Sequence, residues 1–390
     1  MEELTPEARF VLPSDFFTRK HLERVIQELN FNASPGVPYL YTDSTLKKMF
    51  DWDGISFDQL AVDRIWNEIQ AWVAGELDAN PIRVFIKEEP HKKDKIDQGR
   101  LRLISSVAIR EQLVDHMLLD MQNEAEIGNW QRLPFKPGMQ FNCGGLHHFV
   151  RKSRVLACDK SLWDWTVGDV VDLDLEYRER MCMDQYFNKD QYDLWRSLLR
   201  RRYRELYYQP VFQLSSGLQF RQLRPGLVKS GAVNTISINS HLQLIYHLIA
   251  WRREFGEERA PKIMCLGDDT AVFWPDDRDP SGYLKQTGDL GCKIKIAQLE
   301  YGRYSFAGHI ITDVVIPEYN GKHLCRLIYA EDDILLEVLD SYQRLYALDD
   351  PRLALIHKWL VNLDMERVIS PSNLKNWYLG YELKNSRPEY

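Results

Sequence analysis

No apolar run in these 390 residues approaches the length of a membrane span, and no charged-then-apolar start reads as a signal peptide. The chain is therefore expected to have no transmembrane segment of its own. Its six cysteines are scattered without a CxxC pair, which excludes the common zinc-ribbon spacings and fits free thiols in a reducing compartment. Internal repeats, low-complexity linkers and His-rich metal clusters are missing too. Nor is there an excess of positive charge: 50 Lys and Arg against 57 Asp and Glu leave a net charge of −7, unlike a nonspecific nucleic-acid coat. What is abundant is core material, 44% hydrophobic and 12% aromatic, enough for a compact enzyme.

Basicity is local. Clusters at 151–154, 196–204, 221–229 and 87–102 could line a channel for phosphates, although Arg200, Arg201 and Arg202 also suit the exposed last turn of a helix. Amphipathic spacing predicts a helix carrying Leu22, Val25, Ile26 and Leu29. A longer one follows, opened by a capping box at Ser56-Phe-Asp-Gln59 and burying Leu60, Ile65, Trp66, Ile69 and Trp72. Helices are also expected near 110–127, 168–183, 189–201 and 230–253, with a hairpin turning at Ser215-Ser-Gly217 and mainly helices after Ala330.

The chemistry gathers in three segments. Lys262–Trp274 reads as two apolar strands joined by Gly267, Asp268 and Asp269, which sets adjacent carboxylates at a hairpin tip, hard oxygen ligands suited to Mg²⁺ or Mn²⁺. Gly-Asp-Asp alone arises by chance in roughly one chain in ten of this length. Upstream, Arg154–Thr166 reads as a strand ending in Asp159, with Asp164 five residues later. Carboxylates from two neighbouring strands are what a two-metal site requires. Between them, Pro225–Ser240 holds Ser230 and Gly231 at a loop-to-helix transition, followed by Thr235 and Asn239, four apart and so on one helix face. A simple N-cap at Ser230 explains that serine but not the whole spacing.

The order Asp-x4-Asp, Ser-Gly-x3-Thr-x3-Asn, Gly-Asp-Asp resembles motifs A, B and C of viral RNA-dependent RNA polymerases. Asn32–Tyr39 looks like the motif G loop that touches template, through Ser34, Pro35 and Gly36. Arg83–Ile104 is similar to motif F, the basic finger segment, through Lys87, Lys95, Arg100 and Arg102. Gly291–Ile296 resembles the end of motif D, with Lys293 and Lys295 both candidates for the lysine that protonates pyrophosphate. Tyr304–Ile310 is similar to motif E. Lys-Glu-Glu-Pro-His-Lys, Lys-Ser-Gly-x3-Thr and the Phe-x2-His hairpin lean toward the sobemovirus-like branch, although Ala307 and Gly308 stand where members often carry Cys-Ser.

The resemblance implies an α+β, right-hand polymerase with an antiparallel palm sheet: fingers over 1–150, palm over 151–317 with 195–225 returning to the fingers, and a mainly helical thumb over 318–390. It implies that Asp159, Asp268 and Asp269 hold two Mg²⁺ ions, with Mn²⁺ as a substitute. Lys87, Lys95, Arg100 and Arg102 would clamp the triphosphate, and Asp164, Ser230, Thr235 and Asn239 would read the ribose 2′-hydroxyl. Ser34, Gly36 and Gly231 would touch RNA. The implied partners are an RNA template, nascent RNA and ribonucleoside triphosphates, together with membrane-anchoring viral proteins in membrane-associated complexes of the host cytoplasm; synthesis would start either from a protein-linked primer, as the branch resemblance hints, or without a primer. Three other readings are weighed: a reverse transcriptase, which usually has a bulky aromatic where Asp164 stands; a catalytically silent RNA-binding replication subunit; and a metal-dependent hydrolase.

Overall fold

The computed structural model describes residues 1–91, 93–149 and 153–381; Arg151 and Lys152 of the first basic cluster lie outside them. Helix α1 (Arg19–Gln27) is capped by the Thr18 hydroxyl and buries Leu22, Val25 and Ile26. The next helix, α2 (Gln59–Val73), departs from the expected capping box. Asp58 accepts from the amides of Leu60 and Ala61, while Ser56 turns back onto Asp53. A carboxylate adjoining the first turn satisfies two free amides at once, which a serine two residues earlier does not reach. Ile65, Ile69 and Trp72 are buried as expected, but Leu60 is 71% exposed on the outer side of that first turn.

Strands β1 (Ile82–Ile86) and β2 (Leu103–Ser106) pair antiparallel, and α3 (Ile109–Gly128) follows. Strand β3 (Arg154–Lys160) then leads to α4 (Val171–Met181) and α5 (Lys189–Tyr203). Next come β4 (Val211–Leu214) and β5 (Gln219–Arg221), turning at Ser215–Gly217 as expected. Because β4 pairs parallel with β1, these residues join the first sheet, in the order β2-β1-β4-β5.

Helix α6 (Thr235–Phe255) starts five residues later than expected; the stretch from Ser230 to Asn234 is loop. It leads into β6 (Ile263–Leu266), β7 (Asp269–Phe273), α7 (Ser281–Asp289) and β8 (Ile294–Tyr301). The second sheet, β6-β7-β3-β8, is antiparallel throughout. Side chains alternate across it: Leu156 and Cys158 join the core with α6, whereas Val155 and Ala157 pack with Tyr304, Phe306 and Ile311 on the other face. Those last residues belong to a small sheet of β9 (Tyr304–Phe306), β10 (His309–Ile311) and β11 (Val315–Pro317). Helices α8 (Asn320–Ile328), α9 (Leu335–Leu345), α10 (Asp350–Leu363) and α11 (Pro371–Leu379) complete the described chain.

A buried ionic cluster locks α3 to α6 together. Arg178 reaches Asp174 at 3.0 Å, Gln122 at 3.0 Å and Ser237 at 2.9 Å. His241 lies between Asp174 at 2.5 Å and Glu126 at 2.8 Å. The arginines of α5 are likewise structural rather than a solvated last turn. Arg202 is buried in a two-pronged pair with Asp115, Arg201 lies over the Trp72 ring, and Arg196 and Arg200 converge on Glu179. Arg201 and Arg202 are thus engaged within the protein, whereas Arg196 and Arg200 pair with Glu179 and stay nearly half exposed, and Arg204 is exposed.

Candidate active site

The two acidic segments meet where β3 and β7 run side by side. Cys158 pairs with Thr270, so the next position in register brings Asp159 beside Asp269, and β6–β7 closes over Gly267 (φ +60°) and Asp268. Adjacent strands are about 4.8 Å apart, within reach for carboxylates from both to share cations. Asp159 and Asp269 project on the face shared with Ala157 and Ala271, the side covered by β9–β11. Burial, with the neighbouring Asp268 charge next, pushes the Asp269 carboxyl up to about 6. Such crowding of like charge is what a bound divalent cation relieves.

The donor set therefore fits hard divalent cations. The side-chain arrangement is not yet that of a loaded site: among the described residues no three His, Cys, Asp or Glu side chains close on one point, and Asp159 is held by the Lys295 ammonium at 2.6 Å. A bulge supplies that lysine. Asp159 pairs with Ile296 but Lys160 with Ile294, leaving Lys295 as the extra residue of β8. Lys293 instead gives its carbonyl to the Ser161 amide.

After β3 the chain turns through a left-handed Leu162 (φ +57°) into one helical turn carrying Asp164. The Asn239 amide donates to Asp164 at 2.9 Å and its oxygen accepts from the Trp163 indole at 3.0 Å, so the expected pair is formed. Burial raises the Asp164 pKa, and Asp268 adds to the effect. Ser230 and Thr235 do other work. The Ser230 hydroxyl accepts from the Ser105 amide on β2, and Thr235 folds back onto the carbonyls of Lys229 and Ala232, shaping the loop ahead of α6. Gly231 donates to the Ser105 carbonyl, and a Cβ there would lie 2.5 Å from that oxygen. Both residues thus tie the loop to the first sheet. Lys229 is buried beneath the loop over the Tyr207 and Phe212 rings, its ammonium pushed down to about 7 by burial, so it adds nothing to a surface cluster.

In the basic segment, Glu89 bridges Lys87 at 3.0 Å and Arg102 at 3.1 Å. Burial alone would raise the Glu89 pKa, but the two cations outweigh it and hold it down. Arg102 is close enough to Asp164 to stabilise its charge, whereas Lys95 and Arg100 stand on and after the short helical turn Lys93–Asp97. The Pro35–Gly36 turn docks on the start of α3: Ile109 donates to the Pro35 carbonyl, and Gly36 (φ +71°) passes so close to Ala108 that a Cβ would sit 2.9 Å from its Cα. Ser34 is exposed beside it.

Sequence reasoning missed the groups beneath the acids: Lys160, Gln243 and Ser240, each bonded to the hairpin tip. Period-two alternation was the available signal, since Lys160 shares the inward face of Leu156 and Cys158. Tyr319 was missed as well; it packs on Gly308, and burial together with the Asp269 charge raises its pKa.

A family model described as viral RNA-directed RNA-polymerase matches residues 55–162 and 181–314. Protein P1-P2 of Potato leafroll virus is 27% identical over 88% of this chain and 34% of its own length. The replicase polyproteins P2AB of Southern bean mosaic virus and Cocksfoot mottle virus are 30% and 31% identical, each over 64% of this chain, covering 26% and 27% of their lengths. The chain thus spans between 26% and 34% of the length of these relatives. Among solved structures, the sicinivirus 3Dpol RNA-dependent RNA polymerase superposes with a TM-score of 0.72 at 16% identity, over 98% of this chain and 86% of that one.

Proposed function

Because the chain belongs to the viral RNA-directed RNA-polymerase family, we propose that it joins ribonucleotides on an RNA template where Asp159, Asp268 and Asp269 meet, to replicate a viral RNA genome. Its fold is that of a right-hand polymerase with an antiparallel palm sheet. The observation that carries the proposal is the meeting of four segments from distant parts of the chain at one sheet end: the β3 acid, the β6–β7 acids, the Asp164–Asn239 pair and Arg102.

Polymerases of this fold generally use divalent metal ions, and we assign two Mg²⁺, replaceable by Mn²⁺, to the three aspartates. Bound there, the ions would supply positive charge that acidifies the primer 3′-hydroxyl and offsets charge on the triphosphate. The protein's own groups do the rest. Arg102, Lys87, Arg100 and Lys95 hold the triphosphate, with Glu89 as the anion it replaces on Lys87 and Arg102. The 3′-hydroxyl gives its proton to solvent water as its oxygen attacks the α-phosphorus, the bond to the bridging oxygen breaks, and pyrophosphate leaves. Of the two motif D lysines, Lys295 has its ammonium at the acids and is assigned the proton that pyrophosphate takes up. Asp164 and Asn239 read the 2′-hydroxyl on a base built by Thr235 and Ser230. Ser34, Gly36 and Gly231 border the RNA.

We assign the fingers to residues 1–150 with a return over 195–225, the palm to 151–317, and the thumb to 318–390, of which 382–390 lie outside the described residues. Among the described residues no helix is long and apolar enough to cross a membrane. Membrane-anchoring viral proteins are accordingly proposed to recruit the chain to replication complexes in the host cytoplasm, and a protein-linked primer to start synthesis. The deciding experiment incubates the purified chain with Mg²⁺ or Mn²⁺, an RNA template and labelled ribonucleotides. Template-dependent incorporation, lost in Asp268→Ala, is expected. RNA binding without incorporation would instead identify a silent replication subunit.

A further inference from the structure

Lys160 follows the first catalytic acid in sequence but points the opposite way. Strand alternation carries Asp159 toward β9–β11 and Lys160 inward, beneath the acids, where its side chain is 8% exposed. There it lines a small cavity with Cys158, Gln243, Tyr246, Thr270 and Ile294. Its ammonium donates to the Thr270 hydroxyl at 2.7 Å and to the Asp268 carbonyl at 3.3 Å. Among the described residues it has no carboxylate at ion-pair distance. A buried ammonium without a direct counter-ion is unfavourable, and a methionine would fill this apolar space at less cost.

The bonds it makes converge on the hairpin tip. Gln243 on α6 donates to the same Asp268 carbonyl at 3.4 Å, and the Gly267 amide donates to Ser240 on the same helix at 3.0 Å. The tip is therefore gripped from below through its backbone, while the Asp269 carboxyl on the other side meets the Ala307 backbone. The Lys160 charge also acts on Asp269 against the repulsion from Asp268.

We propose that Lys160 is a positioning residue of the catalytic centre: a fixed cation that, with Gln243, holds the Asp268 carbonyl and so presents the two tip carboxylates together to a divalent cation. The inference rests on the polymerase reading above and deepens it. Residues that orient metal ligands from behind are typically worth about 10–100-fold in metal affinity or activity.

The test compares wild type, Lys160→Met, Thr270→Val, Gln243→Met and the Lys160→Met/Gln243→Met double variant. Each is measured for incorporation, for Mn²⁺ affinity by electron paramagnetic resonance without RNA or nucleotide, and for thermal stability. Lys160→Met is expected to weaken Mn²⁺ binding about tenfold or more and lower kcat similarly, with nucleotide KM within about twofold and melting temperature undiminished. Thr270→Val, which keeps the charge and removes one anchor, is expected to lose less in both. The double variant should fall short of the product of the single effects, because both side chains hold one carbonyl. Unchanged Mn²⁺ affinity and kcat in Lys160→Met overturn the proposal. So does a loss explained by unfolding while the well-folded Thr270→Val matches wild type. If wild type incorporates nothing, the polymerase reading fails, and the Mn²⁺ comparison still decides the role of Lys160.

Discussion

Asn239 and Asp164, 75 residues apart in the chain, are joined by a hydrogen bond of 2.9 Å that leaves one Asp164 oxygen uncommitted to the pair. The Trp163 indole fixes the Asn239 oxygen, so the amide can face Asp164 in only one sense. In the proposed site a ribose 2′-hydroxyl would meet a polar pair already oriented, whereas a deoxyribose would leave it unsatisfied. Asn239→Ala should therefore lower the ratio of kcat/KM for ATP over dATP by roughly 1–3 kcal/mol, about five- to 150-fold, with template affinity nearly unchanged. Competition between the two nucleotides measures it. A wild-type ratio in both the Asn239 and Asp164 variants would remove the pair from sugar recognition.

The acids at the strand ends support no core. Asp159 is about half exposed and Asp268 sits at a turn, so Asp159→Ala and Asp268→Ala should fold and bind RNA like wild type. Incorporation should drop by roughly a thousandfold or more, because the metal charge they are proposed to hold would contribute several kcal/mol to phosphoryl transfer. Single-turnover assays on either variant with near-normal rates would refute the assignment.

For Arg102 the outcome is mixed. Its guanidinium meets Glu89 and acts on Asp164, so in the proposed site it would face both the triphosphate and the sugar. Arg102→Ala is expected to raise nucleotide KM and lower kcat together, each by about three- to tenfold, since a charge on the triphosphate acts in ground and transition states alike. Steady-state kinetics that match wild type would take Arg102 out of the site.

The buried cluster around His241 predicts a pH dependence. Burial alone would depress the imidazole, but Glu126 and Asp174 outweigh it and raise its pKa above the ordinary 6.5; this stability is complete below 6.5 and lost as pH rises through the folded value. For Asp174, burial opposes ionisation, but Arg178 and His241 win and hold it below the ordinary 3.8; that stability is complete above 3.8 and lost on acidification. Both groups are charged between roughly pH 4 and 6.5. Urea titrations should find the deficit of His241→Asn largest near pH 6, at about 1–3 kcal/mol, and shrinking as pH rises through the raised folded value. A deficit that grows with pH would contradict the arrangement.

How much of this was legible follows the range of each signal. Asp159 and Asp268 could be read from spacing because strand ends and a two-residue hairpin tip are local geometries, whereas the Asp164–Asn239 pair, 75 residues apart, followed only from the family resemblance. The caps were less legible: Ser56 and Asp58 both suit an N-terminus, and only the folded turn selects the carboxylate. Hardest were charges. In sequence, Arg202 and Lys229 look like Arg100 and Arg102, yet the first pair is buried and the second exposed, a difference set by Asp115, Tyr207 and Phe212 from elsewhere in the chain.

The bulge in β8 makes the number of residues between Cys292 and Ala297 a chemical variable. Lys295 is the one residue in that stretch of the ladder with no partner opposite, and its ammonium turns to Asp159. A substitution there would alter the charge but keep the swerve of the backbone. Deleting the residue would close the ladder into a regular one, with Asp159 still opposite Ile296 and Lys160 still opposite Ile294, and no lysine at the acids. In this strand, the residue count spells out the position of the proposed proton donor as surely as the amino acid does.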